Sequence, residues 1–299
     1  GVFKSMKINR RDFLKTTALT SLYFAGFGVP TLANNTTKKN LVVIMLRGGM
    51  DGLCAIPIKS DKNFEKLRSK INLDKTLDLT SDFDLHPALE TFKKLWDKNQ
   101  SAAVHATNIP YTGRSHFDGQ NLMESGGKIP YQEKTGWLGR GMKIAGLTGN
   151  GLALSLPMPL LIRGVPMNNN YYPVGQNLPG PSTLKIIQEA FEEHDEKLLS
   201  ENLKIVLTRK LRNDASRDSW ALASSAGFEL SKANGPRVAV FEVDGFDTHA
   251  AQGATNGAHA DCLSDYDNIL KALKQSMTEE SFKNTLVLTL TEFGRTIKQ

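Results

Sequence analysis

Three runs of apolar residues, which polar residues barely interrupt, mark the strongest strand candidates in the chain. They extend from Leu41 to Leu46, from Arg237 to Val243 and from Asn284 to Leu290. Such runs are typical of strands buried on both faces of a parallel sheet. The sequence predicts two further short strands, from Ser101 to Ala106 and from Leu160 to Arg163.

Between these strands, apolar residues recur at spacings of three and four, the period of a helix with one buried face. Gly126-Gly127 ends one such segment, and Pro87 suits the first turn of another. The predicted helices span His86 to Lys98, Ser115 to Ser125, much of Ser182 to Lys232, and the segment that carries Leu263, Tyr266, Leu270, Leu273 and Met277.

The alternation of strands and helices predicts an α/β fold with a mostly parallel sheet flanked by helices. We assign residues 34–299 to one such domain. Residues 151–181 are dense in Gly, Pro and Asn, and a polar helical stretch follows. Residues 151–235 are therefore predicted to form an inserted loop and a helical subdomain near the site.

The first 33 residues have the pattern of a twin-arginine export signal. Arg10-Arg11 precede a mildly apolar stretch from Thr16 to Val29 and a small-residue site that ends at Ala33. The stretch is shorter than the roughly 20 apolar residues that span a bilayer. We therefore expect cleavage near Ala33, export by the twin-arginine translocase with a signal peptidase, and a mature part in the periplasm or at the cell surface that does not span the membrane.

Charge and cysteine content narrow the class of protein. The formal net charge is +6, but the predicted leader carries most of it, and +2 remains without residues 1–33. This small excess argues against a nucleic-acid partner. Cys54 and Cys262 are too few for a disulfide scaffold. Two buried thiols are expected, although an oxidising compartment permits one bridge if the fold brings them together.

Charged residues follow two of the predicted strands. In open parallel sheets, ligands bind beyond the carboxyl ends of the strands. Asp51 follows the first strand in a glycine-rich segment, where a plain turn is the alternative. Asp247 and His249 follow a later strand, and their spacing of two allows both side chains to project the same way. Carboxylate and imidazole donors suit a divalent ion such as zinc or manganese.

Two further segments place candidate catalytic and ligand-binding residues at the same edge of the predicted sheet. Ser115 opens a predicted helix beside Arg114 and His116. Its hydroxyl is either a nucleophile or an N-terminal helix cap. After the last strand, Glu292 offers a carboxylate to a metal and Arg295 offers a guanidinium to an anion, with an exposed turn as the alternative.

With these motifs the chain resembles the exported family of unknown function DUF1501, which belongs to the alkaline phosphatase and sulfatase superfamily. The resemblance covers nearly the whole chain. It rests on the segments Leu46-Arg47-Gly48-Gly49-Met50-Asp51-Gly52-Leu53, Arg114-Ser115-His116-Phe117, Gly136-Trp137-Leu138-Gly139-Arg140, Gly245-Phe246-Asp247-Thr248-His249 and Glu292-Phe293-Gly294-Arg295-Thr296.

This resemblance implies an alkaline-phosphatase-like fold and assigns roles to individual residues. It implies that Asp51, Asp247 and His249 ligate metal, that Ser115 stands at the nucleophile position, and that Glu292 completes the carboxylate set.

Two departures from the superfamily qualify these roles. Glu292-Phe293 stands where the superfamily usually has an Asp-His pair, so one metal is expected to be missing or altered. Family members also continue into a Gly-Thr-Asp-His-Gly motif, whereas this chain ends at Gln299. We therefore expect the domain to be C-terminally incomplete.

The leading hypothesis is a metal-dependent hydrolase of phosphate or sulfate esters, with zinc, manganese or calcium as the ion. Ser115 is then the nucleophile, beside His116, and Arg114 or Arg295 clamps the anion. The alternative is a non-catalytic exported module that binds a cell-surface glycan, lipid or protein. An oxidoreductase is disfavoured because the chain lacks a Gly-x-Gly-x-x-Gly fingerprint and a cysteine cluster.

Overall fold

The computed structural model describes residues 38–297, except 60, 72, 155–156, 171–179, 194–198, 201–202 and 204–217. The predicted export signal, residues 1–33, lies outside the described residues. Among the residues that are described, no helix is long and apolar enough to cross a membrane.

A five-stranded parallel sheet organises the protein, which confirms the predicted α/β class. The strand order is β5-β4-β6-β1-β7, and every pairing in this sheet is parallel. Strands β2 and β3 form a separate antiparallel pair. The strands are β1 (Asn40–Leu46), β2 (Leu77–Asp78), β3 (Asp84–Leu85), β4 (Gly151–Ala153), β5 (Asn169–Asn170), β6 (Val238–Val243) and β7 (Thr285–Thr291).

Strand β1 is buried along its whole length because helices cover both faces of the sheet. Its side chains alternate between two cores, since successive residues of a strand point to opposite faces. Val42 and Ile44 belong to one core, and Val43 and Met45 belong to the other. This two-sided burial is the physical reason for the continuous apolar run in the sequence.

Helices cover the two faces of the sheet. Leu222, Leu230, Leu263 and Leu270 pack into the core that contains Val42, whereas the helices on the opposite face contribute Met123, Leu138 and Met142. The helices are α1 (Gly52–Ala55), α2 (Lys62–Leu67), α3 (Glu90–Trp96), α4 (His116–Ser125), α5 (Trp137–Ile144), α6 (Pro181–Glu193), α7 (Ser219–Ser231), α8 (Ala258–Ser276) and α9 (Glu279–Lys283).

The two additional predicted strands are wrong. Residues 101–106 form neither helix nor strand and pair with no described strand, and Val104 is 60% exposed, so no buried face holds this segment in the sheet. Leu160–Ile162 is a 3-10 helix, not part of a strand from Leu160 to Arg163. It packs against Gly136, where any β-carbon would overlap the carbonyl of Leu161.

Other boundaries also differ from the prediction. Helix α3 spans only Glu90–Trp96, because the His86 side chain accepts a hydrogen bond from the Ala88 N–H and shapes the turn before the helix. Strands β4 and β5 belong to the main sheet, although the sequence placed both segments in an inserted loop. Cys54 and Cys262 are both free thiols; Cys54 is buried as expected, whereas Cys262 is only half-buried.

Candidate functional site

The loops after β1, β6 and β7 meet at the carboxyl edge of the sheet, beside the start of α4. Gly48 makes their close approach possible. Its φ is +113°, and a β-carbon there would overlap the backbone nitrogen of Asp247. Only glycine combines this conformation with such a close contact.

His116, Asp247 and His249 form a compact cluster at this edge. Their ligand atoms all lie within 4.8 Å of one another. Asp247 Oδ1 is 3.1 Å from His116 Nε2 and 2.9 Å from His249 Nε2. The fold therefore brings the start of α4 to the loop after β6 and joins two nitrogen donors to one oxygen donor.

The cluster is open to solvent on one side and carries a cation on the other. The side chains of Asp247 and His249 are 45% and 76% exposed. Arg295 donates to Asp247 Oδ1 at 2.8 Å and to the carbonyl of Phe246. Burial opposes the ionised form of Asp247, but the hydrogen bond from Arg295 and the nearby His116 hold the pKa of this carboxyl below its ordinary value.

The second ring nitrogen of His116 contacts Glu292. Glu292 Oε1 lies 2.9 Å from His116 Nδ1. The ring of Phe293 packs on the imidazole with a centroid distance of 4.6 Å. A carboxylate behind a ligating histidine is the usual arrangement at protein metal sites, since it fixes the tautomer and orientation of the ring.

Glu292 is fully buried, and hydrogen-bond donors surround it. Its Oε1 accepts from the N–H of Gly48 at 2.9 Å and from Gln120 Nε2 at 3.1 Å. Burial alone would raise the pKa of Glu292, but hydrogen bonds, that from His116 foremost, lower it below its ordinary value. Glu292 therefore lies behind His116 and is not a member of the three-residue cluster.

Asp51, the third carboxylate predicted at this edge, has different partners. Its Oδ2 accepts from Arg68 at 2.6 Å and from Gln252 at 2.7 Å. Its Oδ1 accepts from the N–H of Cys54 and caps the short helix α1. The structure places Asp51 in a closed polar pair with Arg68, outside the cluster.

Ser115 caps α4 and directly precedes His116. Its hydroxyl accepts from the N–H of Asp118 at 3.3 Å, and its backbone N–H donates to the hydroxyl of Tyr111. Arg114 is exposed to solvent. The capping function is thus present, and Ser115 is half-buried and is not one of the three cluster residues.

Sequence reasoning missed the polar stripe on α4. His116, Gln120 and Glu124 are spaced by four residues, so they share one helix face. Gln120 contacts Glu292, and both Gln120 and Glu124 contact Arg47. The spacing of four can be read from the sequence. A search for apolar residues at helical spacing, however, does not detect polar residues that share one helix face.

The donor set fits a divalent transition metal. Two imidazole nitrogens and one carboxylate oxygen match the ligands of zinc sites that keep one position open for water or substrate. Imidazole donors favour zinc and similar ions over calcium, which prefers oxygen ligands. The adjacent Arg295 opposes a cation through its charge, and it donates to Oδ1 of Asp247, the same oxygen that both histidines face.

Comparison with known proteins supports the family resemblance in the C-terminal part of the chain. Residues 227–299 match the family described as a protein of unknown function (DUF1501). This segment contains Asp247, His249, Glu292 and Arg295 but not Ser115 or His116. No curated protein and no solved structure matches the chain.

Proposed function

We propose that this protein is an exported, metal-dependent hydrolase of phosphate or sulfate esters. His116, Asp247 and His249 would hold the ion. The observation that carries the proposal is the convergence of these three donors within 4.8 Å, with a buried carboxylate behind one of them. Catalytic zinc sites typically use three protein ligands of this kind.

Three other residues of the chain would take part in the reaction. Ser115 supplies a hydroxyl at the start of α4, where unpaired helix N–H groups and the helix dipole favour an anionic group. Arg114 and Arg295 supply guanidinium groups for the anionic ester oxygens. When bound, the ion would act as a Lewis acid that stabilises the developing negative charge.

The reaction would proceed by transfer to Ser115 and hydrolysis. The serine hydroxyl loses its proton to solvent as its oxygen bonds to phosphorus or sulfur, the bond between that atom and the ester oxygen breaks, and the departing alkoxide takes up a proton from solvent. Water then cleaves the serine ester, which releases phosphate or sulfate and restores the hydroxyl. Solvent exposure of the cluster gives water access to this step.

Export is a further component of the proposal. The twin-arginine pattern of residues 1–33 would direct a folded protein to its translocase, so metal could be loaded before export. The mature protein would then act in the periplasm or at the cell surface.

The ion pair between Arg295 and Asp247 supports a second candidate function. This 2.8 Å contact neutralises part of the cluster without any metal. A non-catalytic module could use the same exposed residues to bind a cell-surface glycan, lipid or protein. The two candidates differ in whether the cluster binds metal and whether esters are turned over.

Elemental analysis by plasma mass spectrometry tests the metal site. The full chain, equilibrated with zinc or manganese and then dialysed, should retain about one ion, as expected for a single three-donor site. The double variant Asp247→Asn, His249→Gln should retain none. Asp261→Asn makes the same amide substitution at an exposed position of α8 and should retain metal like the wild type. Absence of bound metal in the wild type would refute the hydrolase site.

Hydrolysis of para-nitrophenyl phosphate and sulfate tests the role of Ser115. If either is cleaved, Ser115→Ala should lower kcat at least about a thousandfold, because the nucleophile is gone. Ser115→Asn retains a capping side chain but has no hydroxyl. Equal inactivation of both variants supports a nucleophile, whereas an active Asn variant indicates capping alone. Bound metal without turnover of any ester would favour the binding module.

A further inference from the structure

A cavity of about 450 Å³ opens at the amino edge of the sheet, where the neighbouring strands β4, β6 and β1 begin. The cluster of His116, Asp247 and His249 lies at the opposite edge. Strand β1 is seven residues long, so the two edges are about 20 Å apart. The cavity is therefore distinct from the site described above. It is lined by Lys38, Asn150, Ala233, Asn234, Gly235 and Arg237.

Backbone carbonyls hold the two cationic side chains of this cavity in place. Lys38 Nζ donates to the carbonyls of Leu230 and Lys232 at 3.1 and 2.6 Å. Arg237 Nε donates to the carbonyl of Lys39 at 2.7 Å. An ammonium group has three N–H donors and a guanidinium has five. The terminal nitrogens of Arg237 make no hydrogen bond with the described residues, so charged donors remain unused at the cavity.

The charges of Lys38 and Arg237 are not neutralised by any carboxylate in the described part of the chain. Glu229, the acidic residue nearest before the cavity in the sequence, is paired with Lys232 at 2.6 Å.

Burial and the charge of Arg237 lower the pKa of Lys38 below its ordinary value, and burial lowers the pKa of Arg237. Both shifts mean that the half-buried cations lack a compensating charge. An anion in the cavity would supply that charge.

We propose that this cavity binds the phosphate group of a small ligand, with Lys38 and Arg237 as its charged donors. A phosphate monoester carries about −1.5 to −2 at pH 7, which matches the two unpaired positive charges. The planar fork of arginine also fits phosphate oxygens.

The size of the cavity leaves space for an organic part of the ligand, since small-molecule sites typically have volumes of about 300–1,000 Å³. Asn150 and Asn234 line that space with polar amides. The inference does not depend on the proposed function, because the cavity contains none of the cluster residues.

Isothermal titration calorimetry of the full chain with inorganic phosphate, in the presence of a chelator, tests this site. The wild type should bind one phosphate with a Kd below about 1 mM. Lys38→Gln and Arg237→Gln should each weaken binding at least about tenfold, because each removes a charged hydrogen-bond donor. Lys271→Gln removes the same charge at an exposed position of α8 and should bind phosphate like the wild type.

Urea unfolding shows whether each variant is folded, and the two substitutions are independent, so one folded variant is sufficient for the test. The inference would be overturned by absence of phosphate binding in the wild type, or by unchanged binding in the folded variants. Binding that is lost only in Arg295→Gln would place the anion at the carboxyl edge and would also overturn it. Acetate that binds as tightly as phosphate would overturn the assignment of a phosphate ligand.

Phenylphosphonate distinguishes a phosphorylated organic molecule from the free ion as the source of the phosphate group. Its carbon–phosphorus bond is not an ester bond, so ester hydrolysis does not consume it. Tighter binding than that of inorganic phosphate would support an organic ligand, and equal or weaker binding would support the free ion. Either result supports the site if binding depends on Lys38 and Arg237.

Discussion

Asp51 and Asp247 follow neighbouring parallel strands at the same edge of the sheet, and each pairs with an arginine. Asp51 and Arg68 are 2% and 1% exposed, and their contact is 2.6 Å. Asp247 is 45% exposed, its contact with Arg295 is 2.8 Å, and two imidazoles share the same oxygen. The same residue type at equivalent strand ends therefore forms a closed pair in one case and an open cluster in the other.

The difference comes from the elements that cover each loop. Arg68 follows α2, and Gln252 belongs to the loop before α8; both donate to Asp51, whose side chain is only 2% exposed. Among the described residues no comparable cover lies over Asp247, whose side chain is 45% exposed. A carboxylate at the end of a strand thus indicates a ligand site only when the residues that donate hydrogen bonds to it leave part of the carboxylate exposed.

The largest expected difference between the two pairs is in stability. Arg68→Met leaves the buried Asp51 carboxylate unpaired and should lower the free energy of unfolding by about 3–5 kcal/mol. Arg295→Met, at the open pair, should lower it by only about 1–2 kcal/mol, because Asp247 is 45% exposed although Arg295 is 14% exposed. Urea unfolding of both full-length variants measures this. Equal losses would contradict the distinction between a closed and an open pair.

The next effect concerns the glycine that brings the two loops together. Gly48→Ala should lower the free energy of unfolding by about 3 kcal/mol, because it combines a positive φ with overlap on Asp247. Thermal and urea unfolding provide the measurement. Gly52→Ala is the matched control, since Gly52 lies in α1 with open space around its α-carbon. A Gly48 variant as stable as this control would show that the loops need no close approach.

A smaller change in the free energy of unfolding is expected when the pH is lowered, because His259 lies buried next to Asp51. Buried His259 accepts from the N–H of Asp51, and burial lowers its pKa to about 4. The unfolded chain takes up this proton near pH 6.5, so stability should fall as the pH decreases from 6.5 toward 4. Between pH 7 and pH 5 the loss should be about 2 kcal/mol.

Urea unfolding at both pH values tests this dependence in matched variants. His259→Gln should reduce the loss, whereas His249→Gln, at an exposed site, should leave it unchanged. An unaltered pH dependence in the His259 variant would assign the loss to other groups.

The smallest expected effect on stability is that of removing the Asp247 carboxylate from the open cluster. Asp247→Asn should lower the free energy of unfolding by less than about 1 kcal/mol, since exposed ion pairs contribute little. The same variant should lose metal if the proposed site is correct. Unfolding and elemental analysis on one preparation separate the two outcomes. A loss above about 3 kcal/mol, typical of buried pairs, would mean that Asp247 is a structural residue.

The sequence by itself determined the central strands and the helix that begins at the site. β1 and β6 were predicted because strands between two helical layers need mostly apolar residues. The apolar run also predicted β7, although β7 lies at the edge of the sheet and none of its residues is fully buried. Ser115 was predicted as either a nucleophile or a cap, and the structure shows the cap, since a hydroxyl before a helix satisfies its free N–H groups. β4 and β5 were missed, because strands of three and two residues carry no periodic pattern.

Only the tertiary structure decided which polar residues meet. His116 lies far from Asp247 and Glu292 along the chain, yet it contacts both, because parallel pairing aligns the ends of β1, β6 and β7. Local spacing could suggest Asp247 with His249, but it could not reveal that Arg68 pairs with Asp51 or that Glu292 lies behind His116. Those choices depend on burial and donor geometry, which arise when distant segments pack together.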